Sequence, residues 1–205
     1  MKIAPQGFPY IVALLVVAAA AFLIEPLRFL ALPFAALASF VAFFFRDPTR
    51  HPPSDAKLLV SAADGKVVDV GPSASDSSRQ QIGVFLSIFN VHINRSPLSA
   101  TVAGIRYTPG RFFAAYREEA ATQNERNEID LLDGDFRVTV RQIAGVVARR
   151  IVCAVSQNDR LERGQRFGLI QFGSRTEVLL PRDVEILVRV GDRVKGGETA
   201  IARRP

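Results

Sequence analysis

The chain has 205 residues, one cysteine, two histidines and a formal net charge of +6. That length suits one ordinary domain and excludes the larger multidomain cofactor enzymes. Cys153 alone excludes an internal disulfide, and one cysteine with two histidines offers too few ligands for a Cys/His zinc cluster, so no metal site is expected.

The N-terminal quarter differs from the rest. Of the first 50 residues, 35 are apolar or aromatic, against 48% for the whole chain. Residues 8–24 and 29–45 are two runs of 17 without a charge, separated by Glu25-Pro26-Leu27-Arg28. As helices each covers roughly 25 Å at ~1.5 Å per residue, close to the ~30 Å hydrocarbon core, so a spanning and a re-entrant hairpin both remain open. Pro33 is expected to disturb the second run. Neither run has a polar face, which argues against buried core helices. Lys2 precedes the hairpin and Arg46 and Arg50 follow it, so the positive-inside rule puts both ends, and the body they lead to, on the cytoplasmic side of the cell (inner) membrane. A signal peptide cut near the alanine tract 18–21 would leave a second apolar run at the new N-terminus, so an uncleaved anchor is the better reading. The expected division is a membrane-associated hairpin, 1–46, and a body, 47–205.

After the turn-rich stretch 47–53 the apolar runs become short and are bounded by glycine and proline, which reads as mainly β. Expected strands are 58–61, 66–70, 82–88, 101–107, 128–132, 136–142, 146–155, 167–172, 177–180 and 184–190, with a hairpin turn at Asp133-Gly134-Asp135 and a short helix near 114–122. The expected class is mainly β (α+β): a barrel-sandwich-like β domain behind an N-terminal hydrophobic helical hairpin. The segment VRVGDRVKGGE (188–198) is similar to the glycine turns of biotinyl- and lipoyl-carrier domains, without a carrier-type lysine hairpin, so no swinging arm is inferred. The positive charge is spread thinly, with no basic run interleaved with aromatics, so no nucleic-acid partner is expected.

With no dinucleotide or phosphate-loop glycine motif, candidate chemistry narrows to few residues. His92 follows a strongly apolar strand, in FNVHINRSP (89–97); His51 lies in the proline-rich linker and is expected to be solvated. Gly173-Ser174, in FGSRTEVLLP (172–181), is by itself a tight turn at a strand end. It is also what backbone self-cleavage needs: glycine tolerates a strained backbone, and the serine hydroxyl can attack the preceding carbonyl. β-Elimination of the resulting ester would give dehydroalanine, which loses ammonia to become an N-terminal pyruvoyl group. A general base is then required, and His92 oriented by Asp64 supplies it by the logic of an Asp-His-Ser triad.

FGSRTEVLLP (172–181), NVHINRSPL (90–98), SAADGKVVDV (61–70), NERN (124–127) and ARRIVCAV (148–155) together resemble the short, archaeal-type (type II-like) phosphatidylserine decarboxylase proenzyme family. The resemblance covers most of 47–205. It implies cleavage between Gly173 and Ser174 into a β chain (1–173) and an α chain (174–205) that form a heterodimer, itself open to further oligomerisation. It implies a covalent pyruvoyl cofactor made from Ser174, a Schiff base with the amine of phosphatidylserine, loss of CO2 and release of phosphatidylethanolamine at a membrane lipid surface. His92 would serve both as base in cleavage and in protonating the product, because imidazole titrates near neutrality. One departure stands out: longer bacterial members carry two histidines three apart here, whereas this chain has His92 and Arg95. Outside the family, the same residues suit a non-enzymatic, membrane-anchored barrel-sandwich adaptor or a membrane serine protease using Ser174. Substituting Ser174 leaves the adaptor unchanged, and only the protease would act on other proteins.

Overall fold

The apolar N-terminus and the rest of the chain form separate compact units, dividing between Thr49 and Arg50. In this computed structural model the described residues are 2–73, 75–113, 118–145, 150–171 and 174–205. In the first unit, β1 (Lys2–Ile3) leads into α1 (Phe8–Leu23), and α2 (Ala31–Phe44) leads into β2 (Arg46–Asp47). The helices pack on each other, and β1 and β2 pair antiparallel to close the open end of the hairpin. Small side chains, Ala18, Ala21 and Ala38, are buried, while Leu15, Val16, Phe22, Phe29 and Leu32 are exposed. An apolar exterior over a small-residue seam is the pattern of helices whose solvent is lipid. With their flanking 3-10 turns the helices run Pro5–Leu23 and Glu25–Phe44, long and apolar enough to cross a membrane. Pro33 does not disturb α2. It is the third residue of that helix, where a backbone N–H has no intrahelical acceptor to lose.

The second unit is mainly β, as the short apolar runs predict. Its elements are β3 (Leu58–Val60), β4 (Gly65–Pro72), β5 (Arg79–Leu86), β6 (Ile93–Arg95), β7 (Ala100–Thr108), α3 (Glu118–Gln123), β8 (Arg126–Asp133), β9 (Phe136–Ile143), β10 (Ile151–Cys153), β11 (Arg160–Leu161), β12 (Arg166–Ile170), β13 (Ser174–Pro181), β14 (Glu185–Ile186), β15 (Arg193–Val194) and β16 (Ala200–Arg203). An eight-stranded antiparallel sheet, in the order β11-β7-β8-β9-β13-β5-β4-β15, curls into a half-barrel. Two three-stranded sheets, β10-β12-β6 and β14-β16-β3, complete the unit. Alternate residues of the large sheet face one core. Val84, Ile129, Val140 and Val178 lie there with Leu59, Phe167 and Ile201 from the small sheets. Two residues, Gly134 and Asp135, separate β8 from β9, and Gly134 takes φ +60°, the left-handed conformation such a turn requires.

The structure also corrects several expected elements. β13 begins at Ser174, three residues earlier than expected, so Ser174 is strand rather than turn. β6, β11, β15 and β16 were not foreseen, three of them being too short to show an alternating pattern. The expected strand 184–190 is reduced to Glu185–Ile186. The expected helix is observed as Glu118–Gln123, and its first part, 114–117, lies outside the described residues. So does the start of the strand expected over 146–155 and the end of that expected over 167–172.

Candidate functional site

Ser174 lies at the N-terminal end of a strand with neighbours on both sides. β13 pairs with β5, where Ser174 stands opposite Leu86, and with β9, where Arg175 stands opposite Ile143. The polar run that opens β13, Ser174 to Glu177, is buried throughout. Three serines of this unit, Ser61, Ser96 and Ser174, have no exposed surface. Ser61 Oγ donates to the Ala63 carbonyl at 2.7 Å and Ser96 Oγ to the Leu98 carbonyl at 2.6 Å. Ser174 Oγ, by contrast, has no hydrogen-bond partner among the described residues. An unpaired buried hydroxyl costs free energy, and it leaves a nucleophile that no local acceptor engages. Gly173, the other half of the expected cleavage site, lies outside the described residues.

His92 is held between the same two stretches of chain. β5 ends at Leu86, a tight turn follows in which Asn90 Oδ1 accepts from both the N–H and the Oγ of Ser87, at 2.9 and 2.8 Å, and the chain passes through His92 into β6. β6 pairs antiparallel with β12, and the Ile170 N–H donates to the His92 carbonyl at 3.2 Å. Ile170 precedes Ser174 by four residues in the sequence, and His92 lies between β5 of the large sheet and β6 of the small one. Asn94, two residues after His92, donates from Nδ2 to Thr176 Oγ1, two residues after Ser174, at 3.0 Å. Gln142 Nε2 donates to Asn94 Oδ1 at 2.9 Å, and Asn127 Nδ2 to Gln142 Oε1 at 3.0 Å. This buried amide chain ties β8, β9, β6 and β13 together beneath the site.

The His92 side chain is 2% exposed, and its Nδ1 lies 3.0 Å from the Asn90 carbonyl oxygen. A carbonyl only accepts, so this contact assigns the proton to Nδ1 and leaves Nε2 as the basic nitrogen of the neutral ring. Asp64 accepts from the Gly196 N–H at Oδ1, 2.8 Å, and pairs with Arg50 Nη2 through Oδ2, 2.7 Å. Arg50 also reaches Glu198, 3.3 Å. Arg95 is buried and donates from Nη1 to the Gly164 carbonyl at 2.9 Å. In the NERN segment Asn124 clamps backbone, while Asn127 bonds the Gln142 side chain. Asn124 bonds both the N–H and the carbonyl of Phe113 and the carbonyl of Ala144. The sequence reading missed Arg50, Asn90 and Gln142; nothing in their local pattern marks them, because their partners come from other strands.

Beside this region is a cavity of about 560 Å³. Asp64, Lys66, Phe85, Phe89, Arg193 and Lys195 line it, together with Ser87 and Asn90 of the tight turn. Phe85 and Ser87, which line it, flank Leu86, the register partner of Ser174.

On the sheet face opposite Ser174 Oγ, charges alternate across successive strands. Arg106 on β7 stands opposite Glu128 on β8, Glu128 opposite Arg141 on β9, Arg141 opposite Glu177 on β13, and Glu177 opposite Gly83 on β5. Arg175 lies over Gly83 to join Glu177 and Asp69, its Nη2 at 2.8 and 2.9 Å from them. A Cβ at Gly83 would stand 2.8 Å from that nitrogen, which is why the gap in the row is a glycine. The Glu177–Arg175 contact is an ion pair without hydrogen-bond alignment at Oε1. Burial pushes the Glu177 carboxyl above the usual range, opposed by Arg175 and Arg141. At Glu128 burial also pushes up, but hydrogen bonds and charge from Arg106 and Arg141 prevail and hold it below that range.

Comparison with known proteins bears on this arrangement directly. The phosphatidylserine decarboxylase family profile matches residues 37–202. The chain is 47% identical to the phosphatidylserine decarboxylase proenzyme of Symbiobacterium thermophilum (strain DSM 24528 / JCM 14929 / IAM 14863 / T), over 99% of this chain and 96% of that one. It is 45% identical to the proenzyme of Trichlorobacter lovleyi (strain ATCC BAA-1151 / DSM 17278 / SZ), over 98% and 96%. To that of Syntrophus aciditrophicus (strain SB) it is 44% identical, over 97% and 96%. With the profile spanning both the Ser174 strand and the His92 crossover, and relatives alike over nearly their whole length, this chain belongs to the phosphatidylserine decarboxylase family.

Proposed function

We propose that the chain is a self-cleaving, pyruvoyl-dependent decarboxylase that converts phosphatidylserine to phosphatidylethanolamine and CO2. The observation that carries this reading is the Ser174 hydroxyl, fully buried and without a hydrogen-bond partner among the described residues, at the start of a central strand. A pyruvoyl precursor has to be such a group, because a hydroxyl engaged by a neighbouring carbonyl would be held away from its own backbone.

In the proposed cleavage His92 Nε2 takes the Oγ proton as Oγ attacks the carbonyl carbon of Gly173. The peptide C–N bond breaks, the proton passes to the Ser174 nitrogen, and an ester joins Gly173 to the Ser174 side chain. Loss of the Ser174 Cα proton expels the Gly173 carboxylate and leaves dehydroalanine, which tautomerises, takes up water and releases ammonia. The products are a β chain, 1–173, and an α chain, 174–205, paired as a heterodimer. The pyruvoyl carbonyl then supplies an electrophile for the substrate amine and a sink for the electron pair released with CO2. His92 holds the proton that replaces CO2 on the substrate carbon, and Asp64, on the cavity wall, is the carboxylate assigned to favour its protonated form. In this reading residues 1–46 are the membrane anchor and 47–205 the catalytic domain, and Lys2, Arg46 and Arg50 beside the apolar runs support a cytoplasmic position at the inner membrane. An interfacial position suits a diacyl substrate, whose extraction costs about 0.8 kcal/mol per CH2.

Intact mass spectrometry tests the proposal. Wild-type protein is expected to give two chains, the smaller of 32 residues (174–205) with a blocked N-terminus that borohydride reduction traps with phosphatidylserine. Ser174→Ala is expected to remain one inactive chain. Active wild-type protein of undivided mass would overturn the reading.

A further inference from the structure

We propose that Lys66, Arg193 and Lys195 form the site that receives the phosphodiester of the substrate headgroup, at the mouth of the 560 Å³ cavity. This rests on the decarboxylase reading and adds to it a binding site for the one group of the lipid that takes no part in the chemistry. β15 is an edge strand whose partner is β4, and its register sets Arg193 directly opposite Lys66. Lys195, the residue after β15, lines the same cavity as Arg193 and Lys66. All three side chains are exposed, and among the described residues none makes an ion pair. Like charges placed directly opposite each other destabilise a strand pair, and an anion bound between them reverses that sign. Among the described residues that line the cavity Asp64 is the one carboxylate, against three cations, so the lining carries a net positive charge. A phosphodiester has two free oxygens and one negative charge. Arg193 can donate to both oxygens, with the two ammonium groups as point charges beside them.

The rest of the cavity fits the same ligand. Its volume is that of a small-molecule site and holds a headgroup rather than acyl chains. Phe89, which lines the cavity and is 64% exposed, offers an apolar surface where the glycerol end would leave. Lys66 stands opposite Phe85, and Phe85 opposite Arg175, so the cations share the sheet face of Arg175, the one away from the Ser174 hydroxyl. The phosphate site is roughly 10 Å, two strands at the ~4.8 Å spacing, from β13, and the headgroup reaches Ser174 past Ser87 and Asn90, which line the cavity beyond the end of β5.

The probe is dihexanoyl phosphatidylserine below its micelle concentration, titrated into the full-length Ser174→Ala protein. Binding is expected to weaken at least tenfold when Lys66→Gln, Arg193→Gln and Lys195→Gln are added, and inorganic phosphate is expected to compete in the first protein but not in the second. With Ser174 restored, the triple variant should still cleave itself, which shows that it folds, and its KM should rise at least tenfold with a smaller fall in kcat. Lys195→Arg should retain most of the affinity. Unchanged affinity for the monomeric lipid overturns the proposal while cleavage and decarboxylation by the wild type stand. Weakened binding to phosphatidylglycerol vesicles with unchanged binding of the monomeric lipid also overturns it, assigning the cations to the bilayer surface. A wild type that neither cleaves nor decarboxylates overturns the underlying reading as well.

Discussion

A buried hydroxyl left without a partner costs about 1–3 kcal/mol. Ser174 bears that cost, whereas Ser61 and Ser96, equally buried, each donate to a carbonyl two residues on. Ser174→Ala should therefore abolish cleavage and at the same time stabilise the chain, by about 1 kcal/mol in urea unfolding. The amides below the site have the opposite sign. Gln142 joins Asn94 to Asn127, and Asn94 joins the His92 crossover to the Ser174 strand. Gln142→Leu strands both asparagines without adding a partner. It should destabilise by about 2 kcal/mol and slow self-cleavage, followed by the appearance of the 32-residue chain on denaturing gels. Normal cleavage in a destabilised variant would show that the amide chain supports the fold but not the site. His92 was legible as a candidate from its scarcity and its place after an apolar strand. The carbonyl of Asn90 that sets its tautomer was not, because a turn's hydrogen bonds depend on backbone geometry that composition does not carry.

β13 shows why element boundaries were harder to read than element existence. Its apolar half, Val178 to Leu180, announces a strand, but Ser174 to Glu177 read as loop because they are polar. They are buried all the same, since a central strand is covered on both faces and its polar face meets charged partners from β9 and β4. That row makes stability depend on pH in a defined direction. Glu128, accepting from Arg106 Nε at 2.8 Å and from Arg141, has its carboxyl held below the ordinary glutamate range. A depressed carboxylate contributes stability above its unfolded pKa and loses it as pH falls through the folded one. Glu128→Gln should thus cost about 1–3 kcal/mol at pH 7, and the gap to wild type in urea midpoint should narrow below about pH 4. A gap independent of pH would mean that the pair contributes by packing alone.

Over the whole molecule, the proposed α chain is woven through both large and small sheets. β13 is paired on both sides, and β16 pairs with β3 of the proposed β chain. Cutting before Ser174 removes one covalent bond and none of these ladders. The cleaved protein should elute as one particle in gel filtration and release the short chain only in urea, at the midpoint where β-sheet circular dichroism is lost. Early release would contradict the ladder as the retaining element. The helical unit carries its apolar side chains outward, in keeping with its reading as an anchor.

The hairpin, the mainly β body and the Gly134 turn were all readable in the chain itself. Each is set by residues adjacent in sequence: an uncharged run long enough for a bilayer, an alternating pattern, a turn residue. Tertiary structure alone decided the rest. Arg50 meets Asp64, Gln142 meets Asn94, and Lys66 stands opposite Arg193 because the sheets bring distant strands into one register. Polar pairing of this kind follows from that register, which the burial of the apolar faces selects, so it becomes visible only once the core has closed.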